Sequence, residues 1–139
     1  MIDVHLAGSF FGMRAAARAM SEQRSGSIVN TSSVLGVVAL GSAAGYTAAK
    51  HGVIGLTKSI GKDLATTGVL VNCVAPAVIE TPILAQLSDE HVGYMISKIP
   101  MGRMGTTDEV ANLVLWLASE DCSFSTGATF DISGGRAVY

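Results

Sequence analysis

Ser27-Ile28-Val29-Asn30-Thr31 is a short β-rich run, and Val69-Leu70-Val71-Asn72-Cys73-Val74 is a second apolar run of strand length, ended by Pro76. Between them, Val53, Ile54, Leu56, Thr57, Ile60 and Leu64 recur at helical period from Tyr46 to about Ala65, and Gly68 reads as that helix's C-terminal stop. Strand, helix, strand at these lengths implies a right-handed crossover between parallel strands. Upstream, Ile2, Leu6, Phe10, Met13 and Ala17 share one helical face while Arg14 and Arg18 lie on another. The spacing predicts a helix over residues 2–20, broken at Ser25-Gly26. Downstream, Pro82 to Pro100 reads as a helical flap with a partly apolar cover at Leu84, Leu87, Met95 and Ile96. Thr106-Thr107-Asp108-Glu109 fits a capping box, opening a helix that should bury Val110, Leu113, Val114 and Leu117. Thr129 to Ile132 is a last strand before the turn Ser133-Gly134-Gly135. The alternation defines an α/β chain with a parallel sheet.

Composition narrows the function classes. In 139 residues, 49% hydrophobic and 14% charged, there is ample material for one core and no sign of a second domain. A net charge of −2 from scattered residues leaves no basic stripe for phosphate backbones, so nucleic acid is not an expected partner. Apolar stretches such as Val37 to Leu40 fall far short of the roughly 20 residues needed to cross a bilayer. Asp3 stands where a signal peptide would carry positive charge. A soluble, cytoplasmic protein without a membrane partner is expected. Cys73 and Cys122 share no motif spacing and read as reduced packing residues.

The chemistry centres on Tyr46-Thr47-Ala48-Ala49-Lys50, with Ser33 ahead of it at the end of the first strand. Four residues along a helix place the phenol and the ammonium on one face. A free tyrosine titrates near pH 10, and a fixed positive charge nearby favours the phenolate, moving that value toward the working pH. A serine hydroxyl at a strand's carboxyl end can hydrogen-bond a substrate oxygen as charge develops on it. On spacing alone Tyr-x-x-x-Lys is most often a helix-surface pair.

The surrounding motifs change that reading. Gly26-Ser27-Ile28-Val29-Asn30-Thr31-Ser32-Ser33 precedes the pair and Val71-Asn72-Cys73-Val74-Ala75-Pro76 follows it. Gly102-Arg103-Met104-Gly105, Asp108-Glu109-Val110-Ala111, Leu117-Ala118-Ser119, Thr126-Gly127 and Gly134-Gly135 come in order after that. With these motifs the chain resembles the short-chain dehydrogenase/reductase family over essentially its whole length. The resemblance implies a Rossmann-like, doubly wound parallel sheet. It also implies hydride transfer between NAD or NADP and a small-molecule secondary alcohol or ketone, without a metal. By the same resemblance Ser33 polarises the substrate oxygen and Tyr46 exchanges the proton. Lys50 lowers the tyrosine's pKa and holds the nicotinamide ribose. Pro76-Ala77-Val78-Ile79-Glu80-Thr81 resembles the segment that holds the nicotinamide carboxamide through backbone groups and the pyrophosphate side through a threonine, which makes Pro76, Ile79 and Thr81 cofactor-binding residues. A homo-oligomer, dimer or tetramer, is implied for the full-length parent.

Two positions depart from the family pattern. His5 stands where an asparagine anchors a water beside the lysine; it either donates a hydrogen bond there or is a packed helix histidine. Ala77 stands where the family has glycine, and is strained only if that backbone needs a positive φ. The Gly-rich strand-to-helix turn that cradles a dinucleotide's phosphates is also missing, because Gly36, Gly41 and Gly45 lie in the active-site connection. By resemblance residues 1–139 are therefore one partial domain, the C-terminal, catalytic part of the sheet without the N-terminal nucleotide-binding strands. The choice between NAD and NADP is made in the absent part. Three readings follow: a piece of an ordinary oxidoreductase, inactive alone; a truncated, non-catalytic paralogue serving as an oligomerisation module; or a complete small enzyme whose cofactor site is assembled between protomers.

Overall fold

The computed structural model describes residues 1–137. A π-helical turn, Asp3–Ala7, runs into helix α1, Gly8–Gln23, and strand β1, Gly26–Thr31, follows. After a 3-10 turn, Val34–Gly36, come α2, Ala44–Asp63, and β2, Val69–Pro76. The flap holds a second 3-10 turn, Pro82–Gln86, and α3, Asp89–Ser97; α4, Thr107–Ala118, and β3, Thr129–Ile132, complete the chain. The sheet has the order β1-β2-β3 and is parallel throughout, with Ile28 opposite Val71 and Val74 opposite Phe130.

Alternation along the strands sorts the side chains onto two faces. Ile28, Val69 and Val71 pack under α1 and α2 with Met13, Leu56 and Ile60. Val29, Leu70, Val74 and Phe130 pack under α4 with Leu113, Val114 and Leu117. β2 has a parallel neighbour on each side and helices over both faces, and it is the most deeply buried element. The outer edge of β1 has no strand partner among the described residues.

Several expected boundaries shift. The first helix runs past the expected residue 20 to Gln23, and Arg24 turns left-handed at φ 55° just ahead of the Ser25-Gly26 break. Gly68 is not the stop of α2, which closes at Asp63. Its φ of +87° serves the turn into β2, where any Cβ would collide with the Arg24 carbonyl, so the requirement comes from a neighbour remote in sequence. β1 ends at Thr31, as the run predicts, and Ser33 stands two residues beyond it. Of the apolar residues assigned to the core by α4, Leu117 is fully buried, and Val110, Leu113 and Val114 are half-buried. The capping box is present, with Thr106 Oγ1 accepting from the Glu109 amide and Glu109 reaching back to the Thr106 amide. No helix among the described residues is long and apolar enough to cross a membrane.

Candidate active site

Ligands of open parallel sheets bind beyond the carboxyl ends of the strands, and the candidate residues of this chain stand at that edge. Ser33 is the N-cap of the 3-10 turn that leaves β1, and its Oγ accepts from the Leu35 amide at 3.1 Å. That bond uses a lone pair and leaves the hydroxyl proton to be donated elsewhere. Next to it, Ser32 Oγ donates to the Lys50 carbonyl at 2.9 Å, tying the Ser33 turn to α2.

Tyr46 and Lys50 lie a turn apart near the start of α2, where Lys50 Nζ is 5.6 Å from the centre of the tyrosine ring. Tyr46 is half-buried and Lys50 is only 9% exposed. The ammonium donates to the Thr31 carbonyl at 2.9 Å, at the very end of β1. It has no other hydrogen-bond partner among the described residues, so donors remain for a ligand. Burial pushes the Lys50 ammonium below the ordinary lysine value of 10.5, while negative charge on nearby Cys73 would act the other way. Burial also raises the Cys73 thiol, which keeps it neutral and that opposition weak.

His5, in the π-helical turn, sets its ring edge-to-face against Tyr46 with centroids 5.4 Å apart. Of the two readings of His5, the packed histidine matches this contact. Both cysteines are buried free thiols.

The third candidate stretch leaves β2 at Pro76, opposite Ile132, and the Ala77 amide donates to the Ile132 carbonyl at 3.3 Å. Among the described residues other than glycine only Arg24 and Ser42 have positive φ, so alanine at position 77 is unstrained. Ile79 forms an isolated parallel bridge with Gly105, and Thr81 Oγ1 donates to the Ile79 carbonyl at 3.4 Å. The bridge joins two segments far apart in sequence, and no local pattern announces it.

The nicotinamide half of a dinucleotide fits this edge. A buried ammonium with donors to spare lies beside the phenol, and the irregular backbone of 76–81 stands at the end of the neighbouring strand. The phosphate half has no counterpart here, since no strand-to-helix turn among the described residues carries the spaced glycines of a dinucleotide fingerprint.

Known proteins share both sequence and fold. Over all 139 residues the chain is 50% identical to 2-dehydro-3-deoxy-L-rhamnonate dehydrogenase (NAD(+)) of Sphingomonas sp., covering 56% of that protein. It is 44% identical over 135 residues to the 3-oxoacyl-[acyl-carrier-protein] reductase FabG of Staphylococcus aureus, covering 97% of this chain and 55% of that one. A 3-oxoacyl-[acyl-carrier protein] reductase from Brucella melitensis with bound NAD superimposes with a TM-score of 0.89 at 39% identity, over 99% of this chain and 51% of that one. A putative 2-deoxy-d-gluconate 3-dehydrogenase from Agrobacterium tumefaciens with bound NADP gives 0.91 at 34% identity, over 97% and 56%. The chain thus spans about half the length of the curated relatives it matches. The sequence model described as enoyl-(acyl carrier protein) reductase matches residues 1–137, and the chain belongs to that family, within the short-chain dehydrogenases/reductases.

Proposed function

We propose that this chain is the catalytic part of an NAD- or NADP-dependent oxidoreductase that interconverts a secondary alcohol and a ketone. The observation that carries the reading is the buried Lys50 ammonium, held on the Thr31 carbonyl beside the Tyr46 ring, at the edge where the Ser33 hydroxyl also stands. A buried lysine without a carboxylate partner costs stability, and such arrangements are retained at functional sites. When bound, the nicotinamide accepts or delivers the hydride. In the oxidative direction Tyr46 takes the hydroxyl proton of the substrate. In reduction it returns that proton to the carbonyl oxygen. Ser33 donates its remaining proton to the same oxygen and fixes its place. Lys50 places its positive charge beside the Tyr46 ring, and its spare donors suit the ribose hydroxyls. The backbone of Pro76, Ile79 and neighbouring residues suits the carboxamide, and the Thr81 hydroxyl suits the pyrophosphate side.

The relatives' names support a carbonyl or alcohol substrate, since one is a dehydrogenase of a 2-dehydro-3-deoxy acid and the other a reductase of 3-oxoacyl groups. The activity is assigned to the complete enzyme, in which this chain is joined to a Gly-rich nucleotide-binding segment. A homo-oligomer is proposed as well. Its support is the apolar groove of about 380 Å³ between α1 and α2, lined by Phe10, Met13, Ala17, Ile60 and Leu64, with Phe11 56% exposed nearby.

Tyr46→Phe in the complete enzyme is the direct test. Turnover should fall by at least about a hundredfold, the scale of positioned acid/base catalysis, with the affinity for the nicotinamide cofactor nearly unchanged. Full turnover in the phenylalanine variant would remove Tyr46 from proton transfer.

A further inference from the structure

The flap leaves the sheet after β2 and returns ahead of α4, and its own elements hardly touch the sandwich. Its residues from Pro82 to Lys98 are exposed or half-buried, so its position is set at its two ends. On the return side Ile99 is 4% exposed, and the Met101 amide donates to the Gly134 carbonyl at 3.1 Å beyond β3. On the outgoing side the hold is the bridge to Gly105. The Gly105 amide donates to the Val78 carbonyl at 3.1 Å and the Glu80 amide to the Gly105 carbonyl at 2.9 Å.

The shape of the Gly105 turn rests on one carboxylate. Glu109 accepts from Arg103 Nη1 at 3.0 Å and Nη2 at 2.6 Å, from the Thr106 amide at 2.8 Å, and from Thr106 Oγ1 at 3.3 Å. Arg103 Nη1 also donates to the Met104 carbonyl at 2.9 Å, so residues 103–106 are closed around the carboxylate. These bonds hold the Glu109 carboxyl well below the usual range, at about 2. A cavity of about 220 Å³ adjoins the turn, bordered by Ala77, Met104, Gly105 and Ile132. The approach to Ile79 is close enough that a Cβ on Gly105 would lie 2.7 Å from Ile79 Cδ1.

We propose that Glu109 is a positioning residue for the nicotinamide segment: through Arg103 and Thr106 it fixes Gly105, and through Gly105 it fixes the backbone of Val78 to Glu80 and the root of the flap. The proposal rests on the reading of residues 76–81 given above. An exposed ion pair alone would be a minor stabilising contact; this one acts because its turn is hydrogen-bonded to the segment beyond β2.

The test compares Glu109→Gln with the unmodified complete enzyme, using two readouts. Without cofactor, amide hydrogen exchange at Glu80 and Gly105 should quicken by about two- to fivefold, the scale of a lost exposed ion pair, since a glutamine oxygen can still accept from the Thr106 amide. Exchange at Val71 and Asn72 in mid-β2 should stay as it was. With cofactor, the KM for the nicotinamide should rise severalfold while kcat at saturation holds within about twofold. Arg103→Lys, which keeps the charge and loses the fork, should fall between. Unchanged exchange at Glu80 would overturn the proposal whatever the kinetics. Quickened exchange with an unchanged cofactor KM would overturn the link to the nicotinamide. Failure of the underlying functional reading would show separately, as full turnover in Tyr46→Phe.

Discussion

Gly36 sits where the Ser33 turn meets α2, and Gly36→Ala tests whether that junction sets the site. A Cβ there would overlap Ser32 Oγ and lie 2.8 Å from the Lys50 carbonyl oxygen and 3.0 Å from Ile54 Cδ1. The Lys50 carbonyl would have to retreat from 2.8 Å to the 3.4 Å of an ordinary contact, a shift of about 0.6 Å of backbone against the turn. Overpacking of this kind costs about 1–3 kcal/mol. The Ser32 bond to the same carbonyl, worth about 1 kcal/mol, is broken as well. Alanine recovers roughly 0.5–1 kcal/mol by restricting the unfolded chain, so a net loss of about 1–3.5 kcal/mol is expected. The urea midpoint should fall with an unchanged slope. Because a misplacement of about 1 Å can cost a hundredfold in rate, kcat of the complete enzyme should fall at least about tenfold. Gly41→Ala in the same connection meets nothing within 4 Å and should match the parent in both assays. A Gly36→Ala variant as stable and active as Gly41→Ala would show that the junction does not set the site.

Lys50→Met should abolish turnover yet raise stability by about 1 kcal/mol, the usual direction when a buried charge gives way to an apolar side chain. The folded-state pKa of Lys50 is depressed, so its cost is fully present below that pKa and is relieved as pH climbs toward the ordinary 10.5; the gain seen in thermal unfolding should shrink over that window. Residues 1–139 alone should show no micromolar binding of NADH or NADPH by calorimetry, and their solution mass should exceed a monomer's, because the β1 edge and the α1–α2 groove are both uncovered. A monomer that binds either dinucleotide tightly would overturn that expectation and favour a complete small enzyme.

The parts of the fold legible in sequence are those with a local cause. The strand runs, the helical period through Ile60 and the Thr106 capping box each depend on residues within a few positions, and all appear where expected. What was not legible depends on remote neighbours. Gly68 has the backbone of a helix stop but serves the Arg24 crossing. The π-helical turn, closed by the Gly8 amide on the Asp3 carbonyl, carries His5 against Tyr46, a contact between residues on different elements. Lys50 was legible as a partner of Tyr46; its anchor on the Thr31 carbonyl was not, because spacing says nothing about which strand end a helix crosses. Arg103 and Glu109 stand in recognisable motifs, but the turn they close matters through a bridge to Ile79 that periodicity cannot register.

The polar residues inside the first strand motif explain how α2 keeps its register. An apolar helix face on an apolar sheet can slide at modest cost, since one aliphatic contact replaces another. Three directional bonds oppose that slide here. Asn30 Nδ2 donates to Thr57 Oγ1 at 3.0 Å, Ser32 Oγ to the Lys50 carbonyl at 2.9 Å, and Lys50 Nζ to the Thr31 carbonyl at 2.9 Å. Each is worth about 1 kcal/mol when made, and more is lost when a buried partner is stranded. A shift of α2 by one residue, about 1.5 Å, would break all three at once, whereas the apolar contacts of Val53 and Leu56 would re-form against the same strands. Asn30 and Ser32 therefore act on the position of α2: they hold the phenol of Tyr46 at the one height along the sheet where the Ser33 turn and the end of β1 converge.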